Sequence, residues 1–482
     1  MMMKKISNSI PFLLCLLAAI LLLSVFWLEN KFGIVSIDSI LFHLQYPLDK
    51  TPISYPLSFL KRILSAFVIA GLWALCFKFK PFQKPRWRKA LLAFPYFFLA
   101  GSLIFAANKF ELIAYLKTRP VENKILEEHY FTVNNGDIKF PAKKRNVVVI
   151  FLESMEMNFA DKKMFPVPLI PKLDALRNGN LHCDLRHSSG LTWTVASLTG
   201  FIFGLPLRLP IEGNSYNSAS NYFLPGAPSI LEVFERNGYN VNLISGSDSR
   251  FGGVDNIFIN HLRSPGVYDS RYFTREGVPA ESAWGWGLRD KTLYQQAQAL
   301  ISGFSREEAP FFVLIQSIDT HSEALAYGDY PRPFGDPRDS FIAADHMAAE
   351  FLDWLAAQDF YAETTVLIVG DHLYMGTELG TVALEEDRSP LLYNVFLNTV
   401  FDGRPEVSKR AAVMWDMGAS LLEAVGAELP EGRFGLGVSI FSDRPTLAER
   451  FDAETLASFS RGKSAFYEKF FSPPALALAE RP

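Results

Sequence analysis

Long apolar runs crowd the first 110 residues of this 482-residue chain and do not recur after them. Ile10–Leu28 has no charged side chain. As a helix it reaches roughly 28 Å, close to the hydrocarbon thickness of a bilayer. A cleaved signal peptide is the alternative, but the run is long for one and no small-x-small site follows it. Ala90–Ala107 is a second run of this kind, and Pro95 within it is tolerable in a membrane helix. Ile63–Phe77 is shorter. It spans a bilayer if Lys61, Arg62 and Lys78 snorkel; otherwise it is a buried or interfacial helix. The pattern predicts a membrane anchor over residues 1–108 with spans near 10–28, 61–79 and 90–107.

The next stretch, 109–144, reads as a connector, punctuated by Pro120, Asn134-Asn135-Gly136 and Pro141. From Asn146 the pattern changes again. Asn146–Leu152 is a continuous apolar, β-branched run, as in a strand covered on both faces. Similar runs follow at Asn240–Ser245, Phe311–Ser317, Thr364–Gly370 and Leu391–Leu397. Helical patterns, such as Pro228–Asn237 and Phe341–Ala357, separate them. The alternation predicts an α/β domain over residues 145–445, its mostly parallel sheet sandwiched by helices. Residues 446–482 are expected as a C-terminal tail.

Charge follows the same division. Residues 1–120 hold 15 Lys/Arg against 4 Asp/Glu, and residues 121–482 hold 32 against 47. An acidic soluble part argues against a general nucleic-acid binder, and the divided pattern excludes a disordered chain or a whole-chain transporter. The loop between the second and third runs carries Lys78, Lys80, Lys84, Arg86, Arg88 and Lys89 with no acid. The positive-inside rule places it in the cytoplasm. Three spans then deliver everything after residue 108 to the outer side. Cys183 is alone in the soluble part and cannot form an internal disulfide.

In parallel sheets the ligand sits beyond the carboxyl ends of the strands. Glu153 follows the first predicted strand, Asp248 and Arg250 the second, Asp319 and His321 the third, Asp371 and His372 the fourth. Oxygen from Glu153 and Asp371 with nitrogen from His372 suits one divalent ion, Zn²⁺ or Mn²⁺. A nucleophile completing the set would gain from coordination. The polar turn Ser188–Trp193 runs into an apolar segment and can place Thr194 near a helix N-terminus, where phosphate binds well. Thr192 could serve there as a plain cap.

Phe151-Leu-Glu-Ser154, the Thr194 segment, Asp319-Thr-His321 and Gly370-Asp-His-Leu373 occur in this order behind N-terminal spans. Together they resemble the membrane-anchored phosphoglycerol and phosphoethanolamine transferases of the alkaline phosphatase/sulfatase superfamily. Arg250-Phe-Gly-Gly-Val-Asp255, Trp286-Gly287, Asp416-Met-Gly-Ala419 and Gly435-Leu-Gly437 strengthen the likeness to enzymes that decorate osmoregulated periplasmic glucans; lipoteichoic acid synthase is a more distant relative. The resemblance implies a metal held by Glu153, Thr194, Asp371 and His372. It implies Thr194 as nucleophile, preferred over Thr192 because Ser197 follows three residues later. It makes His321 a substrate-contacting histidine able to protonate a leaving alkoxide, with Arg250, Trp286 and Asp319 on the substrate. The chain departs from those glucan-modifying relatives at Ser322, where they carry a second His, and at Gly285, where they carry an Asp.

The implied activity is transfer of phosphoglycerol from phosphatidylglycerol to a periplasmic or extracellular glycan through a covalent threonine intermediate. The setting is a multi-pass protein of a bacterial inner membrane, with no obligate protein partner. Phosphoethanolamine transfer to lipid A or another glycan is the alternative chemistry, disfavoured by the missing cysteine pairs. A catalytically inactive anchored scaffold is the alternative outside enzymes. Plainer readings stand beside these: His182 and His187 as surface histidines, Asp345 and His346 as structural, Trp193, Trp284 and Trp286 as core or substrate wall, Glu156 as support for Glu153.

Overall fold

A computed structural model of the chain describes residues 2–32, 35–45, 51–133, 135–210, 216, 223–279, 283–321, 328–376, 379, 391–401 and 405–472. It divides into two compact units, one of residues 1–40, 51–120 and 375–377, the other of 41–50, 121–374 and 378–482.

The first unit is built on α1 (Met2–Phe32), α2 (Ser54–Cys76) and α3 (Pro85–Lys109). Ser9–Phe32 within α1, and α2 and α3 whole, are long and apolar enough to cross a membrane. The second helix starts well before the expected 61. Tyr55, Leu57, Phe59 and Leu60 extend its apolar surface past Lys61 and Arg62, so the short run belongs to a helix of 23 residues. Small and large side chains interlock at Cys15, Ala70 and Trp73. The indoles find partners inside the bundle: Trp73 Nε1 donates to the Leu91 carbonyl at 3.0 Å and Trp27 Nε1 to Ser58 Oγ at 2.8 Å. Leu64, Phe67, Val68, Phe97 and Ile104 point outward and are exposed, as hydrocarbon surroundings favour and water does not.

The second unit is organised by a six-stranded sheet. Its strands are β1 (Asn146–Leu152), β2 (Asn240–Ser245), β3 (Gly266–Tyr268), β4 (Phe311–Gln316), β5 (Thr364–Gly370) and β6 (Asn394–Leu397), in the order β6-β5-β1-β4-β2-β3. All neighbours are parallel except β6 on β5. Along β1, Val147, Val149 and Phe151 enter one hydrophobic core and Val148, Ile150 and Leu152 the other. Period-two alternation between two buried faces explains the unbroken apolar run. The predicted run Leu391–Leu397 is split. Leu391–Leu392 joins a small sheet with Asp184–Arg186 and Ala411–Ala412, and only Asn394–Leu397 reaches the main sheet. Tyr393 turns the chain between them: its N–H donates to the Met155 carbonyl and its hydroxyl to the Leu173 carbonyl.

Helices α4 (Pro171–Asn178), α5 (Thr194–Phe203), α6 (Ile230–Arg236), α7 (Asp290–Phe304), α8 (Arg338–Ala356) and α9 (Met414–Ala424) cover the sheet. Asp345 in α8 shows why a carboxylate sits inside an apolar helix. It accepts the Lys172 N–H at 3.1 Å and the Leu173 N–H at 2.8 Å, capping α4 from a distance. Burial pushes its carboxyl up to about 6. The folded value thus lies above the unfolded one of about 3.9, so this group's contribution to stability falls as pH rises between the two. Asp345→Asn, which cannot ionise, is expected to close part of its stability gap to the wild type as pH is raised from 4 to 6.5. Paired thermal unfolding curves across that range check the sign.

The expected boundaries shift. Connector residues from 121 onward join the second unit through backbone contacts of Glu122 with Lys463, Phe131 with Gly435 and Lys139 with Glu428. Within the expected tail Leu447–Arg450, Ala453–Ser458 and Ala465–Glu468 are helical, and its residues 473–482 lie outside the described residues. Arg208, buried, donates to the carbonyls of Phe459, Arg461 and Gly462. A guanidinium offers five donors, and three carbonyls of one turn satisfy most of them.

Leu41–Lys50 also groups with the second unit. Phe42 is fully buried there, its ring 5.9 Å from Trp193 and 5.5 Å from Tyr216. Truncating it to alanine is expected to cost roughly 3–5 kcal/mol of stability, read as a lowered unfolding midpoint of the full-length protein.

Candidate active site and metal centre

The carboxyl ends of β1, β2, β4 and β5 lie along one edge, since these strands are parallel. That edge gathers the predicted groups. Glu153 leaves β1 through Ser154, whose φ of 54° turns the chain sharply back. At the end of β5, Gly370 passes so close to the Met155 carbonyl that a Cβ would stand 1.9 Å from it. Only glycine lets the following Asp371 approach Glu153.

Among the described residues, Glu153, Asp371 and His372 each offer a ligand atom, all within 4.8 Å of one another, and all three are buried. His372 Nε2 lies 3.5 Å from Glu153 Oε1, 3.4 Å from Asp371 Oδ2 and 3.3 Å from Thr194 Oγ1. Each group is oriented from behind. His372 Nδ1 is 2.8 Å from the Leu373 carbonyl, so the proton sits there and the Nε2 lone pair faces the centre. Asp371 Oδ1 accepts the N–H groups of Ser154 and His372, at 2.7 and 2.8 Å. Ser154 Oγ donates to Glu153 Oε1 at 2.7 Å. Glu153 Oε2 is sealed from solvent and accepts no hydrogen bond from the described residues. A buried carboxylate oxygen with no donor, beside a second carboxylate and an oriented imidazole, fits a small divalent cation.

Electrostatics agree. Burial, then the Asp371 carboxylate, raise the Glu153 carboxyl. Burial would lower the His372 imidazole, but Asp371 and Glu153 outweigh it and raise it. Burial raises Glu156 too, even though it accepts from Asn158 and from the Tyr374 N–H. Burial without a cation makes ionisation costly for Glu153 and Glu156 alike.

Thr194 is the first residue of α5, with extended Trp193 before it and no side chain capping the helix. The first N–H groups of α5 therefore have no side-chain acceptor, and the plain-cap reading of Thr192 is not what the fold builds. Ser197, one turn on, donates to the Asp371 carbonyl at 2.6 Å and ties the helix to the Asp-His segment.

His321 is half-buried and its ring packs against Trp286 at a tilt of 44°, centroids 4.1 Å apart. Trp286 is itself buried and also meets Phe251 at 5.7 Å, so it backs His321. Asp319, expected on the substrate, is fully buried instead and accepts the Asp290 N–H at 3.1 Å. Arg250 stands half-exposed, paired through Nε and Nη2 with Asp248 at 2.9 and 2.6 Å.

For His187 the sequence allows a support for the cluster but favours a surface residue. It is half-buried, and burial followed by nearby His372 push it down to about 4, leaving it neutral at physiological pH. Its position seven residues before Thr194, at the end of the short strand Asp184–Arg186, was the available signal. His182 stays by the Asn180 carbonyl, at 2.9 Å. Asp290 carried no motif.

Residues 145–399 match the sulfatase family. Among curated proteins, phosphoglycerol transferase I of Xanthomonas axonopodis pv. citri is 26% identical over 465 residues, covering 94% of this chain and 64% of that protein. Phosphoglycerol transferase I of Salmonella paratyphi B is 29% identical over 330 residues, covering 64% and 41%. The chain thus spans less than two thirds of the length of these relatives. Among solved structures, an alkaline phosphatase superfamily protein from Vibrio parahaemolyticus superposes with a TM-score of 0.52 at 19% identity, covering 64% of this chain and 72% of that one. Lipoteichoic acid synthase LtaP from Listeria monocytogenes gives 0.52 at 16%, covering 66% and 81%. At these identities the likeness is one of fold.

Proposed function

The chain belongs to the sulfatase family, and from that premise we propose that it transfers phosphoglycerol from phosphatidylglycerol to a glycan outside the cytoplasm. The observation that carries the reading is Thr194 at the uncapped start of α5, 3.3 Å from His372 Nε2 beside Glu153 and Asp371. Relatives named phosphoglycerol transferase I support the choice of group transferred.

Thr194, its hydroxyl proton already released to solvent, attacks the phosphorus of the lipid through Oγ. An Oγ–P bond forms, the bond from phosphorus to the diacylglycerol oxygen breaks, and glycerophospho-threonine remains. His321 gives a proton to the departing alkoxide. It then takes one from the incoming glycan hydroxyl, whose oxygen displaces Thr194 and restores the free side chain. The N–H groups at the start of α5 face the charge on the phosphoryl oxygens. Glu153, Asp371, His372 and Thr194 would hold a divalent ion, Mn²⁺ or Zn²⁺, which when bound lowers the threonine's pKa and neutralises phosphoryl charge. Arg250, kept in place by Asp248, reaches for the donor phosphate or glycerol. Trp286 acts through His321. Asp319 takes a positioning part instead of contacting substrate.

The anchor suits a lipid donor, because tethering raises the donor's effective concentration. The basic segment Lys78–Lys89 supports an outer, periplasmic location for the second unit through the positive-inside rule. Liposomes carrying headgroup-labelled phosphatidylglycerol or phosphatidylethanolamine test the reading. Label leaving phosphatidylglycerol for a glucan acceptor is expected; label leaving only phosphatidylethanolamine would replace this donor with the other.

A further inference from the structure

The turn after β4 carries His321, and each of the four residues before it is held by a named bond. Ser317 Oγ accepts the Glu153 N–H at 3.0 Å, and Thr320 Oγ1 donates to the Glu153 carbonyl at 2.6 Å. From the other side, Asp290 Oδ1 accepts the Ile318 N–H at 2.8 Å and Oδ2 accepts the Asp319 N–H at 3.1 Å. Asp319 returns the contact by accepting the Asp290 N–H at 3.1 Å, and Arg289 lies 3.5 Å from its second oxygen. Asp290 and Asp319 are 1% and 0% exposed. Asp290 is the first residue of α7, so two carboxylates and three N–H groups lock the start of that helix to the turn.

A carboxylate buried this deeply is costly unless its hydrogen bonds do something a neutral core would not. Here they stitch one side of the turn to α7 while Ser317 and Thr320 stitch the other to the backbone of Glu153. The His321 N–H closes the turn on the Ile318 carbonyl at 3.0 Å, and Trp286 supports the ring. The imidazole is thereby set at a fixed distance from the Glu153 cluster. Such registration matters because a proton donor misplaced by about 1 Å can lose on the order of 10²-fold in rate.

We propose that Asp290 is a positioning residue that, through its reciprocal clamp with Asp319, sets His321 for proton transfer to the leaving group. The proposal rests on the proton-donor role given to His321 above.

The test compares two donors of the same phosphoglycerol group. The diacylglycerol alkoxide of phosphatidylglycerol needs a proton as it leaves; the phenolate of p-nitrophenyl glycerophosphate does not. Asp290→Asn keeps the size of the side chain but offers one acceptor oxygen for two N–H groups. Read as single-turnover release of diacylglycerol or p-nitrophenolate, before the acceptor step that both donors share, it is expected to slow release from the lipid on the order of 10²-fold and release from the p-nitrophenyl ester less than about threefold. Asp290→Glu, which keeps both carboxyl oxygens, is expected to recover part of the lipid activity, and it carries the same comparison if the Asn variant does not fold. Equal losses on the two donors, or no loss on either, overturn the proposal. His321→Ala separates the layers. A donor split there with none at Asp290 refutes the clamp alone. No split in His321→Ala refutes the role of His321 and the clamp with it.

Discussion

Thr194→Ala is expected to abolish glycerophosphate transfer, with turnover at least about 10⁴-fold below wild type, as when a covalent nucleophile is removed. In the proposed mechanism this side chain supplies the atom that bonds to phosphorus, and its neighbours are otherwise engaged: His372 Nε2 at 3.3 Å is turned to the same centre, and Ser197 donates to the Asp371 carbonyl. Denatured wild-type protein trapped during turnover should carry one glycerophosphate on the peptide containing Thr194, seen by mass spectrometry; the variant should carry none. Thr192→Ala is the control and should keep most activity. A labelled adduct on Thr192, or wild-type turnover in Thr194→Ala, would disprove the assignment.

The second large effect concerns the ion. Chelation, or Asp371→Asn, should lower turnover by roughly 10³-fold or more, the equivalent of about 4 kcal/mol of charge stabilisation. Elemental analysis should find about one Mn²⁺ or Zn²⁺ in the wild type and little in the variant. Protein shown to be metal-free that still turns over would defeat this expectation. A proton balance accompanies it. Glu153 is raised by burial and by Asp371, so the stripped site holds a proton that an ordinary glutamate has lost. Ion binding must release it, and affinity should fall as pH falls. By the same linkage the stripped protein should lose stability as pH rises from about 4.3, the unfolded value, toward the raised folded one. Titrations in buffers of different ionisation enthalpy would measure the proton released.

Much of the architecture was readable because the physics behind it is local. β1, β2 and β5 match the expected Asn146–Leu152, Asn240–Ser245 and Thr364–Gly370 to the residue. A strand buried on both faces can hardly be written otherwise. The direction of β6 was not readable, since a buried strand has the same composition whichever way it runs. The start of α2 was missed because Lys61 and Arg62 interrupt the apolar count without interrupting the helix.

The site divides in the same manner. Glu153, Asp371 and His372 sit at strand ends, and the topology rule for parallel sheets brings such ends together without any coordinates. Their order along the chain sufficed to single them out. Only the tertiary structure decided what each does with its neighbours. It turned Asp319 inward onto Asp290, put Trp286 behind His321 and drew His187 toward His372. It also took Phe42, from the short helix Ile37–His43, into the core of the second unit. Periodicity and charge report which face of an element is buried and which end of a strand is polar. They carry no information on which distant backbone donor a buried carboxylate will meet, because that depends on the packing of segments far apart in sequence.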